Sequence, residues 1–146
     1  MRIPYKVVPI NPSAPGFLNE QFHWVPVLLV RLIVDHTPTV RFEAVVDSGA
    51  ASCLFHASLG RMAGLKVEKG VEDSIRGIIS GTQSKVYYHG IKLAFADQFL
   101  NVTAGFSDEL SVAGILGRRG FFDNFAITFD PSSQPPGMEI QRMYSA

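Results

Sequence analysis

The chain is poor in cysteine and carries no excess of charge of either sign. Among its 146 residues Cys53 is the only cysteine, so an internal disulfide cannot form and nothing requires an oxidising compartment. Thirteen Lys and Arg residues balance thirteen Asp and Glu residues. Because no net charge would attract a polyanion or an anionic membrane surface, we predict that the chain binds neither nucleic acid nor membranes.

Long hydrophobic runs are also missing. The first six residues lack the unbroken apolar stretch of a signal peptide. The most apolar segment, residues 24–34, is interrupted by Pro26 and Arg31 and is too short to span a bilayer. These absences predict a cytoplasmic protein. The hydrophobic fraction of 47% is nevertheless large enough for a buried core, and the length suits one domain.

What the sequence does contain is a proline-rich beginning followed by segments of β type. The prolines near the start predict an extended arm over residues 1–21. Over residues 22–146, short runs of Val, Ile, Phe and Tyr alternate with turn residues, which predicts one all-β domain. Four hairpins are expected, with strands at residues 25–34 and 39–46, 71–79 and 82–88, 91–95 and 99–106, and 125–130 and 138–143.

Helix is predicted at two places only. Residues 55–63 should form about two turns that end at Gly64, because glycine commonly terminates helices. Residues 118–124 should form a weaker turn or two, and His89-Gly90 is predicted to be a turn between strands. The expected domain is therefore β-barrel-like with one or two short helices.

The segment most informative about function is residues 42–49, an apolar strand that ends in Asp-Ser-Gly. The same three residue types are also common in ordinary turns, so the triplet alone does not indicate catalysis. Further along, residues 114–118 place two aliphatic side chains before a glycine, which alone would indicate only the end of a buried strand. Between the two segments, residues 77–81 carry a glycine at each end, and we predict that they form the tip of a hairpin. The order of these three features is far less expected by chance than any one of them.

With these motifs in this order, the chain resembles the retropepsin family, especially the bacterial and cellular relatives of retroviral proteases. The resemblance covers about residues 22–143. It implies a closed β-barrel-like acid protease fold with a flap hairpin over residues 76–84 and half an active site per chain. It also implies an aspartic endopeptidase that acts on a peptide or protein substrate and needs no metal and no cofactor.

The resemblance assigns roles to individual residues. Asp47 corresponds to the catalytic acid, Ser48 to the hydroxyl that supports the acid pair across the dimer axis, and Gly49 to the glycine whose backbone faces the substrate. Substrate contacts are implied for Ala50, Ala51, Ile78, Ile79, Ser80 and Gly81. Structural support of the acid loop is implied for Ile115, Leu116, Gly117 and Arg118.

One position departs from the retroviral pattern. There, the residue after Asp-Thr-Gly-Ala is an aspartate that pairs with the arginine following the second glycine. In this chain that position is Ala51, so Arg118 lacks the usual partner.

Peptide hydrolysis gives an independent reason to expect two copies of the chain. The reaction needs a proton acceptor for the attacking water and a proton donor for the leaving amine, and two carboxyl groups that share one proton can supply both. The chain contains a single Asp-Ser/Thr-Gly triplet. A homodimer with a two-fold axis beside Asp47 would complete the pair.

Other chemistries have less support in the sequence. Cys53 and His56 stand three residues apart, but two ligands are too few for a structural zinc site, and Cys53 is more simply a packed core residue. Ser80 lacks the Gly-x-Ser-x-Gly spacing of a serine nucleophile. The main alternative to proteolysis is a non-catalytic dimeric peptide-binding or assembly module on the same fold.

Overall fold

The fold is known from a computed structural model that describes residues 1–10, 15–76 and 83–143. Strands dominate, as the sequence predicts. They are β1 (Arg2–Pro4), β2 (Lys6–Pro9), β3 (Phe22–Val25), β4 (Val27–Val34), β5 (Thr37–Pro38), β6 (Phe42–Val46), β7 (Cys53–His56), β8 (Val71–Arg76), β9 (Gln83–Phe95), β10 (Gln98–Ser107), β11 (Gly114–Leu116), β12 (Phe125–Asp130) and β13 (Gly137–Arg142).

Six of these strands close into a barrel. They follow the order β4-β6-β11-β7-β10-β9, and β9 returns to pair with β4, so that Arg31 lies opposite Ala94. The strands β5 and β8 extend the sheet beyond the closed ring. The predicted all-β, closed barrel fold is therefore confirmed.

Alternating side chains fill the barrel. Along β4, Leu28, Val30 and Leu32 are buried, whereas the intervening residues face outward. This alternation is what a strand with one buried face produces. A cluster of aromatic rings continues the core, and its most buried members are Phe55, Phe106, Phe121 and Phe125.

The segment predicted as an arm contains two paired strands, β1 and β2, whereas residues 15–21 consist of turns and irregular backbone. β1 adds to β13 in a three-stranded sheet of order β1-β13-β12, and β2 pairs with β3 in a separate two-stranded sheet. The first predicted strand is divided, because Pro26 separates β3 from β4.

The helical predictions are only partly correct. The single α-helix in the described part of the chain, α1, spans Ala57–Met62, because Phe55 and His56 belong to β7. Gly64, which follows it, has a φ of +88°, as expected for a glycine that ends a helix. A short 3-10 helix, Val67–Lys69, was not predicted. No helix among the residues described is long and apolar enough to cross a membrane.

The helix predicted for residues 118–124 is wrong, because this segment is a series of turns. Gly120 has a φ of +101°, which lies outside helical conformation, and the amide groups of Phe122 and Asp123 donate five residues back, to the carbonyls of Gly117 and Arg118, rather than four residues back as in an α-helix. The turn predicted at His89-Gly90 is also wrong. Both residues lie inside β9 and pair continuously with Ala104 and Thr103 of β10.

Candidate active site

The Asp-Ser-Gly motif lies in a loop, residues 47–52, that connects β6 to β7. We call these residues the acid loop. The strand β11 is inserted between β6 and β7, parallel to β6 and antiparallel to β7. Because β11 and β6 run in the same direction, the acid loop and the residues after β11 meet at one end of the barrel.

Backbone hydrogen bonds close the acid loop onto the segment at the end of β11. The amide of Asp47 donates to the carbonyl of Leu116 over 3.0 Å, and the amide of Arg118 donates to the carbonyl of Ala50 over 2.9 Å. The amide of Arg119 donates to the carbonyl of Ala51 over 3.0 Å. The loop is thus anchored at both ends by main-chain groups.

The carboxylate of Asp47 lies at the surface of the single chain. Its Oδ1 accepts a hydrogen bond from the amide of Gly49 over 2.8 Å, which fixes the carboxylate relative to the loop. A side-chain carbon on Gly49 would stand only 3.1 Å from the same oxygen. Glycine at this position therefore lets the hydrogen bond form without crowding the carboxylate. Ser48 and Gly49 are exposed beside it.

Arg118 has a partner that the sequence did not suggest. Its Nη1 donates to the backbone carbonyl of Ser48 over 2.8 Å. Ala51, which stands where an acidic partner was expected, is exposed. A backbone carbonyl therefore replaces the missing carboxylate, and the arginine holds the acid loop from the side.

The base of the β8–β9 hairpin also contacts the acid loop. The hydroxyl groups of Ser52 and Tyr88 lie 3.1 Å apart, within hydrogen-bonding distance, and Ser52 is buried. The strands β8 and β9 are paired from Val71 opposite Tyr88 to Arg76 opposite Gln83. Sequence reasoning missed this contact, because Tyr88 reaches Ser52 only through the register of β9 and no local pattern reveals it.

The structure brings together most of the residues assigned by the resemblance. Asp47, Ser48, Gly49, Ala50 and Ala51 lie in the acid loop. The supporting residues lie directly against it, and Ile115 pairs with Val45 in β6 just below. The four hairpin-tip residues, Ile78, Ile79, Ser80 and Gly81, lie outside the described residues.

Cys53 and His56 do not form a joint site. They occupy positions of opposite parity in β7, so their side chains point to opposite faces of the strand. Burial raises the pKa of the Cys53 thiol to about 11. The His56 ring instead caps α1, accepting from the amide of Ser58. Within residues 1–10, 15–76 and 83–143, no three His, Cys, Asp or Glu side chains are grouped as metal ligands would be.

Comparisons with known proteins relate the chain to others by structure alone. No protein-family model matches it, and no curated protein matches it in sequence. The fold matches that of a retropepsin-like aspartic protease from Rickettsia conorii, known from a crystal structure, with a TM-score of 0.56. The match covers 77% of this chain and 89% of the other, at 14% sequence identity. At this identity, the likeness shows a shared fold.

Proposed function

We propose that this protein is an aspartic endopeptidase that hydrolyses peptide bonds as a homodimer, with the Asp47 carboxyl groups of two subunits forming the catalytic pair. The observation that carries the proposal is the placement of Asp47. Its carboxylate lies at the surface, is oriented by the Gly49 amide, and is held in a loop that the segment after β11 anchors from below.

A solitary surface carboxylate is insufficient for this reaction. Peptide hydrolysis needs one group that removes a proton from the attacking water and another that protonates the leaving nitrogen. Two carboxyl groups within a few ångströms of each other cannot both ionise easily, so they hold one proton between them and perform both tasks. One Asp47 would act as base and the other as acid, and the second must come from another copy of the chain.

The neighbouring residues suit an extended peptide substrate. We propose that the peptide lies between the acid loop and the β8–β9 hairpin, with its backbone hydrogen-bonded like an added strand. The exposed backbone of Gly49 would face the peptide, and the Ser48 hydroxyl would support the acid pair across the two-fold axis. Ala50 and Ala51, which have small side chains, would leave room for substrate side chains beside the acids.

The test is hydrolysis of an unbiased peptide library, read by mass spectrometry, by wild-type protein and by Asp47→Asn. The amide of an asparagine keeps the acceptor for the Gly49 amide, so the variant should remain folded, but it cannot serve as the base. We expect cleavage by the wild type, inhibition by pepstatin and loss of cleavage in Asp47→Asn. The matched control is Asp97→Asn, which removes an exposed carboxylate in the turn between β9 and β10 and should leave cleavage unchanged.

Two outcomes would reject the proposal. Cleavage by Asp47→Asn at the wild-type rate would remove this acid from the mechanism. Saturable binding of library peptides without any cleavage by the wild type would instead favour the non-catalytic dimeric peptide-binding module.

A further inference from the structure

A cavity with a volume of about 310 Å³ lies on the outer face of the barrel, at the end opposite the acid loop. It is bounded by the middle of β4, the start of β6, the turn after β9 and the first residues of β1. Arg41 precedes β6 and Asp47 follows it, and six residue steps along a strand correspond to about 20 Å. The cavity is therefore separate from the candidate active site.

Most of the cavity wall is apolar. Leu29 and Phe99 are 53% and 51% exposed, which is unusually open for large hydrophobic side chains, and both line this cavity. Ala94, Ala96 and Ile3 contribute further apolar surface. Pockets of this size and composition are typical of small-molecule sites, in which a few polar groups orient a mainly apolar ligand.

The polar groups of the cavity include two arginines, Arg31 and Arg41. The pairing of Val30 with Phe42 places the two arginines next to each other across β4 and β6, and both lie on the outward-facing parity of their strands. Two like charges in facing positions of neighbouring strands destabilise a sheet. Arg41 is exposed and Arg31 is half-buried, so the pair presents two neighbouring guanidinium groups at the rim of the apolar surface, where the negative charge of a ligand would relieve their mutual repulsion.

No described residue supplies that charge. The nearest acid on the same strand, Glu43, is bound by Lys6, whose Nζ lies 2.9 and 2.8 Å from its two carboxylate oxygens. Neither arginine has a hydrogen bond or ion pair with any of the residues 1–10, 15–76 and 83–143. The site thus combines two neighbouring guanidinium groups with an adjoining apolar surface.

We propose that this cavity binds a small amphiphilic anion, namely a monocarboxylate with a short apolar chain. The carboxylate lies between Arg31 and Arg41, since the planar guanidinium group matches carboxylate geometry with two parallel hydrogen bonds. The apolar chain lies against Leu29, Ala94 and Phe99. A volume of about 310 Å³ is at the small end of the range of small-molecule pockets, which suits a carboxylate with a short apolar chain.

The probe is octanoate, titrated into the full chain by calorimetry and followed by amide chemical shifts in NMR. We expect a dissociation constant of about 1 mM or lower, which is a modest affinity for a ligand of this size. The shifted amides should be those of Leu29, Arg31, Ala94 and Ala96. Octanamide, which keeps the chain but lacks the charge, should bind about tenfold more weakly, and acetate, which lacks the chain, should show no saturable binding.

Substitutions of the two arginines test whether their positive charges bind the carboxylate. Arg31→Gln and Arg41→Gln should each weaken octanoate binding about tenfold, because each removes a charge-assisted hydrogen bond. The matched control is Lys69→Gln, which removes an exposed cation after α1 and should change nothing. Asp47→Asn should bind octanoate as well as the wild type, so this result is independent of the proposed peptidase activity.

The proposal is wrong if octanamide and octanoate bind equally well, or if both arginine variants retain wild-type affinity. It is also wrong if no binding occurs up to about 10 mM octanoate, since that affinity is too weak for a site with two arginines. The comparison of octanoate with octanamide uses the wild-type protein alone, so it remains decisive even if an arginine variant fails to fold.

Discussion

Gly117 lies so close to the backbone carbonyl of Ser52 that a side-chain carbon at position 117 would collide with its oxygen. The same carbon would stand 2.8 Å from the carbonyl oxygen of Ala50. Both carbonyls belong to the acid loop, and the obstructing atoms are main-chain atoms that cannot rotate away. The glycine of the aliphatic-aliphatic-glycine motif is therefore required by close packing, and its φ is not among the positive values.

Replacing Gly117 by alanine should displace the acid loop. We expect a loss of about 2–3 kcal/mol in the free energy of unfolding, because the backbone must shift to admit the extra carbon. Gly90→Ala is the control, since no atom of the described residues lies within 4 Å of a side-chain carbon there, and it should be neutral or stabilise by less than about 1 kcal/mol. Urea denaturation of both variants measures the difference. Equal free energies of unfolding for the two variants would mean that the acid loop shifts at little cost to admit a side chain at position 117.

The Tyr88 hydroxyl should contribute to both stability and turnover. Tyr88→Phe removes the partner of the buried Ser52 hydroxyl, so we expect a loss of about 1 kcal/mol in stability. Because this contact joins the hairpin base to the acid loop, kcat/KM on a cleaved peptide should fall about fivefold. Tyr87→Phe is the matched control, because within the part of the chain that is described the Tyr87 hydroxyl makes no hydrogen bond. An equal fall in kcat/KM in both variants would assign the effect to general loosening of β9.

The single thiol should be unreactive in the folded protein. Cys53 is fully buried, and burial raises the pKa of its thiol to about 11, so almost no thiolate exists near neutral pH. A thiol reagent at pH 8 should label the native protein far more slowly than the urea-unfolded protein. Peptide cleavage should also persist after treatment with the reagent. Rapid labelling that abolishes cleavage would instead support a cysteine-dependent hydrolase.

Much of the fold could be predicted from local patterns. The strands β4, β12 and β13 are predictable because short apolar runs of β type and the turn residues beside them are local signals. The prediction of a helix at residues 118–124 is wrong because Gly120 adopts a positive φ, which interrupts the helical conformation in the middle of the segment. The turn predicted at His89-Gly90 failed because pairing with β10 keeps a glycine in an extended strand.

The candidate site was predictable to a similar degree. The Asp-Ser-Gly triplet and the glycine at position 117 form recognisable local motifs. The bond from Arg118 to the Ser48 carbonyl and the contact of Tyr88 with Ser52 were not predictable. Both depend on how separate strands are arranged, which only tertiary structure determines.

The way in which two subunits could join is constrained by the terminal strands. The resemblance to the retropepsin family makes the arm and residues 138–143 candidate interface segments, since subunits of that family commonly join through terminal strands. In the structure β13 is the central strand of its sheet, with β1 on one side and β12 on the other, so both of its edges are already paired. A partner subunit could therefore add to this sheet at β1 or β12, but it could not pair with β13 unless one of them moved.

Dimerisation should control activity, because each chain supplies one half of the proposed acid pair. Specific activity should fall when the protein is diluted below the dimer dissociation constant, and sedimentation at the same concentrations should show the dimer separating in parallel. Excess Asp47→Asn protein should also inhibit the wild type by forming mixed dimers that hold a single acid. A monomer with concentration-independent specific activity would contradict this mechanism, since the chain contains no second Asp-Ser/Thr-Gly motif to complete the pair.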